Sequence, residues 1–400
     1  MTRRPRVLVA SRIFVPEAAA ATFRLRALVT ALAGRAQVEV LTTDPPPALR
    51  APGHDPDHEL PDHVLVRRWP ALRDATGYVR GYLPYLSFDV PLALRLVLAD
   101  RPDVVVVEPP PTTGAVVRAT LALRGLRGGR IPYVYYAADV WSDATASMGA
   151  PAPVVAAMRW MERFALRGAR DVVAVSDGVA DRVRALAGDE APVTVVPNGV
   201  DTDLFTPEGP PSPEAPRTPY LIYAGTASEW QGAEIFAAAM PQVLAQVPGA
   251  RLVFLGQGSS WPELERLRRE LPEGAVELRP LAPPAQAAAW QRGAAAALVS
   301  VRPGIGYDFA YPTKVLAALA CGTPVVHAGP GPAGEDLRRD DLGEAVAYDV
   351  DEVAAAMVRL LRGAVTDEGR DRRAAWVRTH RSLRATGRRV ADVVLPPSAH

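Results

Sequence analysis

One side-chain ammonium stands alone in this sequence: Lys314 is its only lysine, every other basic position being arginine. Lysine is a compact charge on a flexible stem and touches a phosphate as a point, where the planar arginine fork asks for a bidentate partner. In Phe309-Ala310-Tyr311-Pro312-Thr313-Lys314-Val315-Leu316 the proline takes the first helical position, which favours it, and so puts Lys314 in the first turn of a helix. A cation there opposes the helix dipole at a cost of up to about 1 kcal/mol unless an anion lies between them. A diphosphate would remove the conflict. The amides of Thr313 and Lys314, with the run Gly304-Ile305-Gly306 ahead of them, would complete a phosphate cradle. A solvated surface lysine is the competing reading.

A second group with chemistry to offer is Asp139, in Asp139-Val140-Trp141-Ser142-Asp143 at the end of the apolar run Tyr133 to Tyr136. It can bind or deprotonate a substrate hydroxyl, or equally cap the next helix. Two Asp-x-Asp tripeptides, Asp55 to Asp57 and Asp201 to Asp203, invite a metal, but the first lies in a Pro/His-rich loop, and no metal is assigned. Arg73, Tyr78, Arg80, Tyr82, Tyr85 and Phe88 mix cations and aromatics ahead of Leu92-Ala93-Leu94. Such amphipathic residues suit a lipid interface or an ordinary core and rim, and Gly81 and Pro84 argue against one long interfacial helix.

Short β-branched runs must position these groups: Arg6 to Ala10, Gln37 to Thr42, Val64 to Trp69, Asp103 to Val107, Tyr133 to Tyr136, Val172 to Ser176 and Val193 to Pro197. Helical periodicity separates most of them, as in Phe23, Ala27, Leu28 and Ala31, and strands alternating with helices predict a parallel, doubly wound α/β sheet. The stretch 206–219 holds six prolines and reads as a linker. The alternation then resumes with Tyr220 to Ala224, Arg251 to Leu255, Val276 to Arg279, Ala295 to Val301, Pro324 to His327 and Ala345 to Tyr348. Two domains follow, over 1–205 and 220–369, with a helix in 370–400 expected to pack back across them. Open α/β sheets bind ligands beyond their strands' carboxyl ends, so a cleft between the two sheets is the expected site.

Composition narrows the choice of partner. With 400 residues, 48% of them hydrophobic, the chain can bury more than one core. A net charge of +1 leaves no field for a polyanion, so nucleic acid is not an expected partner. The lone Cys321 allows no internal disulfide and no thiolate-rich zinc site. The apolar run Val7 to Ala10 is too short for a signal-peptide core, and Asp89 and Arg95 interrupt the run Leu83 to Ala99. A cytoplasmic protein with at most peripheral membrane contact is expected.

The segment Pro312 to Val326, PTKVLAALACGTPVV, resembles the donor-site helix and turn of retaining glycosyltransferase family 4, and Pro197-Asn198-Gly199-Val200-Asp201 with Phe205 resembles its PNGVD segment. Tyr223-Ala224-Gly225 with Gln231-Gly232, then Leu255-Gly256-Gln257-Gly258, then Gly329 to Glu335 agree in order and spacing, so the resemblance covers nearly the whole chain. It implies the GT-B fold of two Rossmann-like domains, and retention in the transfer of a sugar from a nucleotide-diphosphate donor to a small-molecule or lipid-linked acceptor. It implies no cofactor besides that donor substrate. Donor contacts are expected from Gly225, Thr226, Gly256, Gly258, Leu281, Tyr311, Thr313, Lys314 and Val315, and catalytic ones from Asp139, Lys314 and Arg302.

The chain also departs from the family. Phe309 and Ala317 replace the two acids of its E-x7-E pair, Ala18 to Ala21 replace a glycine pair in the first loop, and Gly225 to Gly232 lacks the usual arginine and lysine. Arg302 and Lys314 are the substitutes at hand. The competing functions are a sugar-nucleotide epimerase of the same fold and a homologue that binds nucleotide sugars without turnover.

Overall fold

A computed structural model describes residues 3–17, 19–49, 57, 60–74, 79, 81–126, 128–147, 150–363 and 366–397; Ala18, Asp55, Tyr78 and Arg80 lie outside them. The chain divides into two compact units, one ending at Asn198 and regaining the chain from Leu383 on, the other running from Gly199 to Ser382.

The first unit follows the order β1 (Arg6–Ala10), α1 (Ala20–Ala33), β2 (Gln37–Thr43), β3 (Val64–Trp69), α2 (Tyr82–Leu98), β4 (Val104–Val107), α3 (Pro111–Gly125), β5 (Tyr133–Ala137), α4 (Trp141–Ser147), α5 (Ala152–Gly168), β6 (Asp171–Ala174), α6 (Asp177–Ala187) and β7 (Val193–Val195). Its sheet is parallel with strand order β3-β2-β1-β4-β5-β6-β7. The four valines of β4 show why: β-branched side chains suit a pleated strand, and helices on both faces leave all four fully buried. Helix α2 begins directly after Gly81 and carries Pro84 in its first turn and Pro91 further in. Those residues therefore start the helix rather than prevent it, because a proline in the first turn forgoes an amide that has no intrahelical partner.

The second unit follows β8 (Tyr220–Thr226), α7 (Glu234–Gln246), β9 (Arg251–Gln257), α8 (Trp261–Arg269), β10 (Val276–Arg279), α9 (Pro284–Gly293), β11 (Ala296–Ser300), α10 (Thr313–Ala320), β12 (Val325–Ala328), α11 (Pro332–Arg339), β13 (Gly343–Val346), α12 (Val350–Arg362) and α13 (Asp367–His380). Its parallel sheet has the order β10-β9-β8-β11-β12-β13. Both orders reverse direction beside the first strand of the unit, at β1/β4 and at β8/β11, and at such switch points the loops part and leave room for a ligand.

Two expectations about the connections change. The proline-rich stretch 206–219 is a strap on the second unit: the Ser212 amide donates to the Ala289 carbonyl at 3.0 Å, the Arg292 guanidinium to the Pro210 carbonyl at 3.1 Å, and Glu214 pairs with Arg279 at 2.9 Å. Prolines preclude regular structure but not packing, so the passage between units falls earlier, at Asn198–Gly199. The C-terminal helical pattern is two helices, because the Arg381 carbonyl accepts the Val200 amide and Ser382 bridges Val200 as a strand would. Helix α13 stays with the second unit and α14 (Leu383–Val394) belongs to the first, where Val390, Ala391 and Val394 join the core.

Candidate functional site

Lys314 is not a solvated surface residue. It is the second residue of α10, its side chain is half-buried, and Nζ donates to the Tyr223 hydroxyl at 2.6 Å and to the Thr226 carbonyl at 2.8 Å while lying 4.0 Å above the Tyr223 ring. Pro312 stands one place before the helix instead of within it, and its carbonyl takes the Val315 amide. The amides of Thr313 and Lys314 precede the first possible intrahelical partners, so the helix itself leaves them open. Among the described residues no carboxylate forms an ion pair with Lys314. Burial alone lowers its ammonium to about 7. Two of its three N–H groups are used, and the third remains for a ligand oxygen.

The platform under this ammonium is the carboxyl end of β8. Gly225, at φ 120°, lies under the lysine stem, and a side chain there would start 3.7 Å from Cε. Gly256 and Gly258 act one strand away: a Cβ on Gly256 would fall 2.0 Å from the Gly225 carbonyl oxygen, and one on Gly258 2.2 Å from that of Ala227. Both glycines let β9 and its loop approach β8 at a distance no other residue permits. Thr226 and Thr313 are exposed, and Leu281 is 55% exposed in the loop after β10. Val315 is wholly buried and is a core residue. The Tyr311 hydroxyl donates to Asp336 at 3.1 Å, and Arg381 both binds that carboxylate at 3.0 Å and covers the Tyr311 ring. Tyr311 thus anchors the loop that delivers α10.

Arg302 follows β11, and its guanidinium pairs with Glu234 in the first turn of α7. It would have to leave that carboxylate to reach a phosphate. The pair lines a cavity of about 560 Å3 with Tyr348, Glu263 and Arg266, a set that does not include Lys314. The Gly304 amide is likewise committed, donating to Asp308 at 3.0 Å, so a side-chain carboxylate already occupies part of the expected cradle. The loops before α7 and α10 are joined by Trp230 stacked on Tyr307, ring centres 4.9 Å apart. Phe309, 42% exposed, and Ala317, buried, stand at the two positions of the family's E-x7-E acids.

In the first unit Asp139 lies just beyond β5 with its side chain exposed, although the protein around it removes enough water to raise its carboxyl above the usual range. Arg24 opposes that shift and Glu108 adds to it. Asp139 is not the cap of α4, because the amides of Trp141 and Ser142 donate to Glu162 at 2.8 and 3.0 Å. Beside it lies a cluster absent from the sequence reading: Glu108, buried at the end of β4, accepts from Ser11 and from Arg24 at 3.0 Å each. An acid directly after four buried valines is the one feature that could have announced it. The Asp-x-Asp pairs serve turns and ion pairs: Asp201 accepts the amides of Asp203 and Leu204, and Asp57 pairs with Arg68.

Family models agree with this architecture. The model described as Glycosyltransferase Family 4 matches residues 21–204, and that of Glycosyl transferases group 1 matches residues 218–363. A D-inositol 3-phosphate glycosyltransferase of Actinosynnema mirum is 31% identical over 289 residues, 66% of this chain and 68% of the relative. Two further curated relatives of that name are matched over only 40% and 53% of their length. Among solved structures, sucrose-phosphate synthase from Thermosynechococcus elongatus superposes with a TM-score of 0.69 at 18% identity, covering 98% of each chain. Anabaena HepE in complex with UDP and glucose does so with a TM-score of 0.69 at 16% identity, covering 97% of this chain and 99% of its own. Those structural likenesses show the fold, the GT-B architecture of two Rossmann-like sheets, and the sequence matches place the chain in glycosyltransferase family 4.

Proposed function

We propose that this chain transfers a sugar from a nucleotide-diphosphate donor to an acceptor hydroxyl, with retention at the anomeric carbon and without a metal ion. The observation that carries the reading is the Lys314 ammonium, held at the carboxyl end of β8 by two neutral oxygens and flanked by the open amides of Thr313 and Lys314. Breaking the bond between the anomeric carbon and the diphosphate leaves negative charge on the departing phosphate oxygens. A fixed ammonium and helix-end amides stabilise that charge as it develops, and need no reorganisation to do so. Gly225 and Thr226, with Gly256 and Gly258 behind them, shape the donor side, and Asp139 is the group assigned to the acceptor hydroxyl. The UDP and glucose named for HepE are of the ligand class this arrangement suits.

Calorimetry with UDP, GDP and ADP against their nucleosides tests the assignment. Lys314→Ala should weaken the preferred diphosphate by about tenfold or more, the worth of one charge-assisted hydrogen bond, and leave the nucleoside unchanged. Equal losses on both would remove Lys314 from the phosphate. Phe309 and Ala317, standing where the family has acids, favour binding without turnover as the second reading. Nucleotide release from a matched nucleotide sugar would discard that reading, and conversion of the sugar without release would indicate an epimerase.

A further inference from the structure

A helix on the surface of a folded unit buries one stripe and turns polar side chains to water. Among its described side chains helix α2 turns no polar one fully outward, Ser87 and Arg95 being half-buried and bonded to backbone carbonyls. Its inner face places Tyr85, Phe88, Leu92 and Leu96 in the interior, and the one acid, Asp89, is buried and accepts a hydrogen bond from Thr113 at 2.6 Å. Its outer face carries Leu83, Leu86, Val90, Leu94, Val97 and Leu98, each between 50% and 73% exposed. Among the described side chains of α2, every exposed one is aliphatic. The one cation, Arg95, bends away to the carbonyls of Thr42 and Arg67. Seventeen residues at about 1.5 Å each make an apolar ridge roughly 25 Å long.

The surroundings of the ridge say what covers it. Arg95 ties it to the edge strand β3, where Leu65 and Trp69, 51% and 42% exposed, share a face with the exposed Arg67. At the same C-terminal end Arg124 holds the carbonyls of Leu96 and Ala99, joining α2 to the end of α3, whose Leu123 and adjoining Leu126 are 66% and 83% exposed. Arg101, Arg124 and Arg130 at that end bond to backbone carbonyls and, among the described residues, to no carboxylate. The acids flanking Arg101 in the sequence, Asp100 and Asp103, are already paired with Arg6 and Arg3 at 2.7 Å. Among the described residues the ridge therefore offers aliphatic surface along its outer face and un-neutralised guanidinium charge at its C-terminal end.

From this we infer that the outer face of α2 docks on an anionic lipid surface, lying in its plane with the ridge at the acyl boundary and the guanidiniums among the headgroup phosphates. Aliphatic side chains need no directional partner in hydrocarbon, and arginines at the rim reach outward from it. A protein partner fits less well, since interface cores favour aromatic residues and a hydrogen bond every 100–200 Å2 or so. No helix among the described residues is long and apolar enough to cross a membrane, which leaves the in-plane arrangement. The inference does not rest on the role given to Lys314.

Flotation of the whole chain with vesicles of phosphatidylcholine, with and without phosphatidylglycerol, tests it. The wild type should float with the phosphatidylglycerol vesicles, Val90→Glu/Leu94→Glu should lose at least about tenfold of that retention, and Arg101→Glu/Arg130→Glu should lose the preference for anionic lipid. Both pairs are exposed, and an unchanged thermal midpoint confirms that the variants fold. No wild-type flotation, or equal flotation of Val90→Glu/Leu94→Glu, overturns the inference. So does a wild-type dimer in light scattering that this variant dissociates in the absence of lipid retention, because a second copy would then cover the ridge.

Discussion

An ammonium held by a phenol oxygen and a carbonyl keeps its proton only against the loss of its own hydration, and Lys314 is lowered from 10.5 to about 7 for that reason. Between those two values the unfolded chain binds the proton and the folded chain does not. Stability of the unliganded chain therefore rises with pH through that window, and the cost of the buried charge is fully present below pH 7. A diphosphate bound to Lys314 as proposed would restore the charge, so that binding above pH 7 would take up a proton. Affinity for nucleoside diphosphates should accordingly fall above pH 7, by up to about tenfold per unit, and Lys314→Met should flatten that profile. The same variant should raise the thermal midpoint of the unliganded chain more at pH 6 than at pH 10. A calorimetric profile that Lys314→Met leaves unchanged would place the titration elsewhere. This residue was legible in the sequence because it breaks a compositional rule. Arg24 and Glu108 were not, since they meet across 84 positions of sequence and only the folded sheet brings them together.

The strands were the most readable elements, because runs such as Val104 to Val107 tolerate no other conformation inside a doubly covered sheet. What sequence could not state is how closely two of them approach. A Cβ on Gly256 would sit 2.0 Å from the Gly225 carbonyl oxygen, so Gly256→Ala must push β8 and β9 apart just where β8 holds Lys314. The expected result is a stability loss of about 1–3 kcal/mol in denaturant unfolding together with weakened diphosphate binding. Gly249→Ala is the control: its φ of 87° also strains a side chain, but nothing lies within 4 Å, so it should cost stability and spare affinity. Normal binding by Gly256→Ala would separate the strand packing from the site. Helix α2 taught the opposite lesson. Tyr85 and Phe88, the aromatics that drew attention in the sequence, face inward, and the unremarkable leucines and valines between them face out, because residue type does not reveal which stripe of an all-apolar helix meets the core.

Each unit has its own sheet and core, yet the first takes its last helix from the far end of the chain. Helix α14 seats on α1 so closely that a Cβ on Gly387 would fall 2.4 Å from the Ala27 carbonyl oxygen, and Arg170 holds the carbonyls of Val393 and Val394 at 2.7 and 2.9 Å. Ending the chain after Ser382 should lower the unfolding temperature of the first unit by several degrees in scanning calorimetry and leave that of the second in place, since only the first loses core. A uniform shift of both would mean that they melt as one. The same connection has a temporal side. A ribosome releases residues in order, at roughly 5–20 per second, so the second unit is complete while the first still waits for its final helix, its α1 flank open for roughly 10–40 s. A nascent chain of this kind needs that flank shielded, by a chaperone or by its own transient collapse, until α14 emerges.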